Sequence, residues 1–88
     1  MPYIKQDQRT VIDEKLQSLI DHIAALPVEQ QDGAVNYSVT KLLHSVYAPS
    51  YFNYNRAIGV LSAIQLELYR RKVAPYEDEK IVQNGDVI

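Results

Sequence analysis

Apolar residues recur every three or four positions along three stretches of the chain, and this spacing predicts three amphipathic α-helices. The first helix covers about residues 10–26 and ends at Pro27, the second covers about 34–47, and the third covers about 54–73. The third is apolar around almost its whole circumference, so we expect it to be covered on more than one side. The pattern predicts an all-α three-helix bundle that forms a homodimer through helix 54–73.

The segments between these helices carry turn and capping residues. Residues 27–33, PVEQQDG, are interpreted as a polar connector that an Asp-Gly turn closes. Asp7 or Thr10 is expected to cap the first helix, since their side chains accept hydrogen bonds from free N–H groups. Asn53 or Asn55 is expected to cap the third helix, after a short loop rich in aromatic residues.

The end of the chain allows two interpretations. Asn84-Gly85 between β-branched residues is typical of a hairpin turn. Alternatively, Pro75 begins a short helix that stops at Gly85, and this interpretation is favoured because a three-residue hairpin is marginal alone. In both cases residues 86–88 are expected to be extended, with Pro2-Tyr3-Ile4 as their possible strand partner.

Composition narrows the possible functions. The length of 88 residues is enough for only one core, so we expect one helical domain over residues 1–88. The chain has no cysteine, which excludes disulfides and thiol chemistry. The start of the chain has no apolar segment typical of a signal peptide, so we expect the protein in the cytoplasm and not in a membrane. The net charge is −3 over residues 1–33, +4 over 34–75 and −3 over 76–88. This balance makes nucleic acid an unlikely partner, because binding domains are usually strongly basic overall.

No group of residues predicts a catalytic, cofactor or metal site. His22 and His44 lie on different predicted helices and lack a second ligand at helical spacing. A metal-dependent phosphohydrolase needs carboxylates from two helices, and the third helix offers only Glu67. Activity as an enzyme is therefore left uncertain, leaning to none. The phosphohydrolase alternative predicts carboxylates that converge near Arg70 and Arg71.

Aromatic and cationic side chains mark a possible interaction surface. Its members are the tyrosines and basic residues around the third helix: Tyr47, Tyr51, Tyr54, Arg56, Arg70, Arg71, Lys72 and Tyr76. For the aromatic residues before the third helix, sealing the end of a small core is favoured over interface use. Three acidic residues, 77–79, follow the three cations of 70–72 closely. The pattern leaves open whether they neutralise these cations within one chain or across to a partner.

Four segments of the chain resemble a known family. MPYIKQ, NYSVTKLLH, AIGVLSAIQLELYRRKVAPYEDEK and NGDVI are similar to segments of short, uncharacterised proteins from bacteriophages and bacteria. The resemblance implies a phage or prophage setting, and it implies no activity for any residue.

These observations favour a non-enzymatic interaction or accessory protein that acts as a homo-oligomer in a bacterial or phage-infected cell. Its partners are expected to be a second copy and an unknown protein. The alternatives are a nucleotide-binding or metal-dependent phosphohydrolase-like protein and a module that binds nucleic acid through the basic middle segment. No cofactor is expected.

Overall fold

The computed structural model describes residues 4–88, and its regular structure is entirely helical over that range. The elements are four α-helices and one π turn: α1 Gln6–Ala24, α2 Val28–Val46, α3 Tyr51–Leu68, the π turn Tyr69–Val73, and α4 Ala74–Asn84. The all-α class is confirmed. The chain forms two compact units, the N-terminal helix pair up to Ala48 and the C-terminal helix, Pro49–Ile88. A single-domain organisation stays a prediction.

Helix α1 begins at Gln6, earlier than the predicted start near residue 10. The N–H of Lys5 donates to Oε1 of Gln8 at 3.3 Å, so Gln8 provides the side-chain acceptor at this helix end. The predicted caps Asp7 and Thr10 were therefore wrong, because both lie inside the helix. The helix ends at Ala24 and Pro27 follows, which agrees with the predicted stop.

Helix α2 begins at Val28, so the predicted polar connector was wrong and only residues 25–27 join the two helices. The N–H of Gln30 donates to the carbonyl of Pro27 at 2.9 Å, which places the proline where a missing N–H costs nothing. Glu29 lies in the first turn, where its negative charge interacts favourably with the positive end of the helix dipole. Gly33 continues the helix, at a cost of about 1 kcal/mol relative to alanine.

Helix α3 begins directly after Ser50, whose Oγ accepts a hydrogen bond from the N–H of Asn53 at 3.0 Å. The predicted aromatic loop and the caps Asn53 and Asn55 were wrong, because these residues lie within the first turns of α3. The cause is the serine itself, which is as good a cap as asparagine and comes three residues earlier.

The C-terminal helix is uninterrupted from Tyr51 to Asn84, whereas the sequence predicted an end near Val73. Val73 and Ala74 both keep right-handed helical backbone angles. Gly85 ends the helix with φ of +86°, a conformation that glycine adopts without steric cost. The helical interpretation of Asn84-Gly85 is thus confirmed and the hairpin was wrong.

Residues 86–88 are non-helical, and no strand occurs between residues 4 and 88. The proposed strand partner includes Pro2 and Tyr3, which lie outside the described residues.

The π turn explains how a helix continues through Pro75. Proline lacks an N–H, and in an α-helix its ring would clash with the carbonyl four residues earlier, here that of Arg71. The N–H of Ala74 instead donates to the carbonyl of Tyr69, five residues earlier. This wider turn takes up one additional residue directly before the proline and leaves the helix unbroken.

None of residues 4–88 is buried. The N-terminal helix pair has half-buried apolar side chains on both helices, among them Ile23, Leu26 and Leu43. In the C-terminal helix, Ala57, Leu61, Ala63 and Ala74 are half-buried. Each unit therefore leaves apolar surface uncovered.

Candidate interaction surface

The aromatic residues at the start of α3 point into solvent. Tyr51 is 82% exposed, Phe52 72% and Tyr54 54%, so they do not seal a core. The expectation that they would do so was wrong for Tyr51 and Phe52, because both lie in the first turn of a helix rather than in a loop that folds back. Tyr47 belongs to the N-terminal helix pair, where it is half-buried after the last turn of α2.

Arg56 is held along the surface of α3 by two neighbours. Its guanidinium carbon lies 5.8 Å from the centre of the Phe52 ring, within the range of a cation–π interaction. Its Nη1 donates to Oδ1 of Asn53 at 3.0 Å. These are contacts between residues three and four apart, as expected on one face of a helix.

The three cations of 70–72 lie in and around the π turn and differ in their contacts. The Nη2 atom of Arg70 lies 3.0 and 3.2 Å from the two carboxylate oxygens of Glu67. Within the described part of the chain, Arg71 and Lys72 form no ion pair. Both are exposed. These cations do not lie at a helix end, because the helix continues for another 12 residues.

The acidic residues that follow do not neutralise these cations. Glu77 accepts a hydrogen bond from the hydroxyl of Tyr69 at 3.4 Å, while Asp78 and Glu79 have no ion pair among residues 4–88. Lys80 lies over the ring of Tyr76, with Nζ 5.3 Å from its centre. Within the described chain, the clusters 70–72 and 77–79 therefore stay separate.

The π turn aligns apolar residues of α3 and α4 on one face of the helix. We name this face the seam, and its members are Leu61, Ile64, Leu68, Val73 and Tyr76. Successive members are three or four positions apart, except for the step of five that crosses the π turn. Since the turn bonds residues five apart, that step covers about one turn, as a step of four does in an α-helix.

The seam is largely open to water. Ile64 is 55% exposed, Leu68 58%, Val73 38% and Tyr76 58%. The sequence pattern predicts the apolar helix α3 and marks Tyr76 as a surface residue, but it does not connect the two. A step of five breaks the helical spacing, and only the observed π turn restores it.

The predicted surface residues occupy two places along the C-terminal helix. Tyr51, Tyr54 and Arg56 lie in its first two turns. The cations 70–72 and Tyr76 lie 14 or more residues further on, about 20 Å along the axis. Tyr47 is in the other unit. The structure does not test whether these residues bind a partner, and this stays a prediction.

Acidic and histidine residues show no convergence in the part that the structure describes. No three His, Asp or Glu side chains of residues 4–88 are grouped so that they could hold a metal ion. None of the helices in this range is both long and apolar enough to cross a membrane.

Comparison with known proteins gives the family. The model of the family described as Domain of unknown function (DUF6899) matches residues 1–87, and the chain belongs to this family. Neither a curated protein nor a solved structure matches the chain.

Proposed function

We propose that the protein is a non-enzymatic interaction or accessory module that works as a homo-oligomer in the cytoplasm of a bacterial or phage-infected cell. One observation carries this proposal, namely that apolar side chains on every α-helix remain exposed. Along the seam these side chains follow one another on one face of the helix, and apolar surface of this kind marks sites of protein association.

The free energy gained by burying these apolar side chains supports association through this surface. Full burial of one leucine or isoleucine side chain contributes about 1.5–3 kcal/mol. In the N-terminal helix pair, Ile12, Leu16 and Leu42 are 45%, 43% and 60% exposed, and Ile64 and Leu68 of the seam are exposed by more than half. A domain of this size buries little apolar surface and is only marginally stable. A second copy that covers these faces would bury more apolar surface and raise the free energy of unfolding.

The setting rests on the sequence alone. The resemblance of four segments to short proteins of bacteriophages and bacteria supports a phage or prophage origin. The exposed apolar faces and the exposed tyrosines at the start of α3 support a role as an accessory protein that acts on a host or phage protein.

Sedimentation equilibrium from low to high micromolar concentration tests the proposal. We expect a mass of twice 10.1 kDa or a higher multiple, with helical circular dichroism that declines on dilution. A stable, fully helical species of 10.1 kDa at high micromolar concentration would contradict it.

A thermal-shift series separates this proposal from the phosphohydrolase alternative. A ligand that binds only the folded state raises the unfolding temperature. We expect no rise with nucleoside triphosphates, diphosphates or monophosphates, with or without Mg²⁺. A rise that depends on ligand concentration would favour the alternative.

A further inference from the structure

The charges around the π turn form a mirror pattern. We name Arg70, Arg71 and Lys72 the cationic cluster and residues 77–79 the acidic cluster. Each cation lies as far before the midpoint between Ala74 and Pro75 as one carboxylate lies after it. The helix is therefore complementary in charge to its own reversed copy.

Within one described chain, the two clusters form no ion pair with each other. Arg71 and Asp78 are seven residues apart, which is about 10 Å along a helix axis and too far for an ion pair. The structure agrees, since no ion pair joins the two clusters and all six side chains are exposed. Arg70 pairs with Glu67, and Glu77 accepts a hydrogen bond from Tyr69, which leaves Arg71, Lys72, Asp78 and Glu79 without an ion pair in the described chain.

A two-fold axis beside the midpoint would bring the clusters of two chains together. In an interface between identical chains with two-fold symmetry, residue i of one chain faces residue j of the other, and j faces i. An antiparallel pair of helices centred between Ala74 and Pro75 brings each cationic cluster opposite the partner's acidic cluster. Three consecutive residues span about 200° of the helix circumference, so each cluster places at least one member beside whichever face of the helix is turned to the partner.

Apolar residues occupy the place where such an axis would pass. Val73 and Tyr76 of the seam are the neighbours of Ala74 and Pro75, and they are equally far from the midpoint. The seam is 38% exposed at Val73 and 58% at Tyr76. The axis would thus carry an apolar centre with charges on both sides, which is the usual arrangement of a protein interface.

We propose that a second copy of this chain packs antiparallel along residues 65–84 of the C-terminal helix, with the two cationic clusters against the two acidic clusters. This inference rests on the homo-oligomer proposed above and specifies its partner, its orientation and its register. A different protein as occupant would leave the mirror pattern of six charges without a role.

Charge exchange tests the register. The variant R71E/K72E and the variant D78K/E79K each place like charges opposite each other in a homodimer, and both keep the intrachain pairs of Arg70 and Glu77. We expect each to weaken the homodimer by about tenfold or more, since several exposed pairs turn from attractive to repulsive. A mixture of the two variants and the quadruple variant R71E/K72E/D78K/E79K should both dimerise as tightly as the wild type.

Sedimentation gives the dissociation constants, and circular dichroism at high protein concentration checks that each variant is helical. Double variants that dimerise like the wild type would overturn the register while the homo-oligomer stands. A quadruple variant that stays monomeric would overturn it as well, because restored charge complementarity would then fail to restore association. A monomeric wild type would contradict the proposed function itself.

Discussion

The N-terminal helix pair and the C-terminal helix are stabilised in different ways. In the pair, α1 contacts α2, and Nε2 of Gln31 donates to the carbonyls of Ala24 and Leu26 at 3.4 and 3.2 Å. In residues 49–88, the side-chain hydrogen bonds of the described chain join residues no more than eight positions apart, along the helix or within the residues that flank it. The first region has tertiary contacts of its own, whereas the second has contacts along its own axis.

This difference indicates where a partner is needed. Helices in proteins draw most of their stability from the packing of an apolar face, and an isolated helix is marginal in water. The C-terminal helix has an open apolar seam, so its persistence depends on packing that residues 49–88 of one chain do not supply.

The largest expected effect comes from a charge placed in the seam. Leu68→Asp should weaken the dimer by about 3 kcal/mol or more, roughly a hundredfold in dissociation constant, because an unpaired carboxylate becomes buried at the interface. Hydrogen exchange should accelerate in α3 and α4 and change much less in α1 and α2. Both effects are measurable by sedimentation and by mass spectrometry of exchanged peptides.

Ser62→Asp is the matched control for Leu68→Asp. Ser62 is exposed on the same helix, and six residues place it about a third of the way around from Leu68. It should leave the dimer nearly unchanged. Equal losses from both variants would show that the helix, rather than the seam, is sensitive to charge.

A smaller effect should come from two glycines of the C-terminal helix that differ only in backbone conformation. Gly85 has φ of +86°, whereas Gly59 lies within α3, and a Cβ at either position would meet no atom within 4 Å. Gly85→Ala should lower the free energy of unfolding by about 1 kcal/mol, and Gly59→Ala should raise it by about 0.5–1 kcal/mol. Thermal unfolding at fixed protein concentration measures both. Changes of the same sign would refute the assigned helix end.

The smallest effect is expected in the N-terminal helix pair. Gln31→Ala removes the side-chain hydrogen bonds to the carbonyls of Ala24, the last residue of α1, and of Leu26 in the connector, and should cost about 0.5 kcal/mol. Gln30→Ala, one residue earlier and exposed, is the control and should be close to neutral. Chemical denaturation gives both values. The dimer dissociation constant should not change in either variant, and a change would place α2 at the interface as well.

Local residue patterns predicted the fold class and several helix ends correctly. The three-four spacing of apolar residues gave the helices, and Pro27 and Gly85 marked two of their ends. The same reasoning failed where a stronger local interaction competed. Ser50 caps α3 ahead of Asn53, and the Asp-Gly pair at 32–33 is absorbed into α2 because helix hydrogen bonding continues past a tolerated glycine.

The candidate site could be predicted only in pieces. The cations 70–72 and Tyr76 were identified from residue type, and the acidic cluster raised the question of a partner. The seam was not predictable, because the step of five from Leu68 to Val73 has no helical meaning until the hydrogen bond from Ala74 to Tyr69 defines a π turn. Pro75 causes that turn, but in the sequence a proline at this position predicts the start of a new helix.

The central claim is that a second, antiparallel copy completes the C-terminal helix. The chain has no cysteine, so a single introduced cysteine places one spin label at a chosen site. We expect double electron–electron resonance on the spin-labelled Tyr76→Cys dimer to give a short distance between the labels of the two chains. This site lies next to the proposed axis, and the axes of packed helices are about 8–10 Å apart. The Gln83→Cys dimer should give about 25 Å or more, because its two sites diverge along the axis. Short distances at both sites would indicate parallel helices, and no distance between chains at either site would contradict the claim.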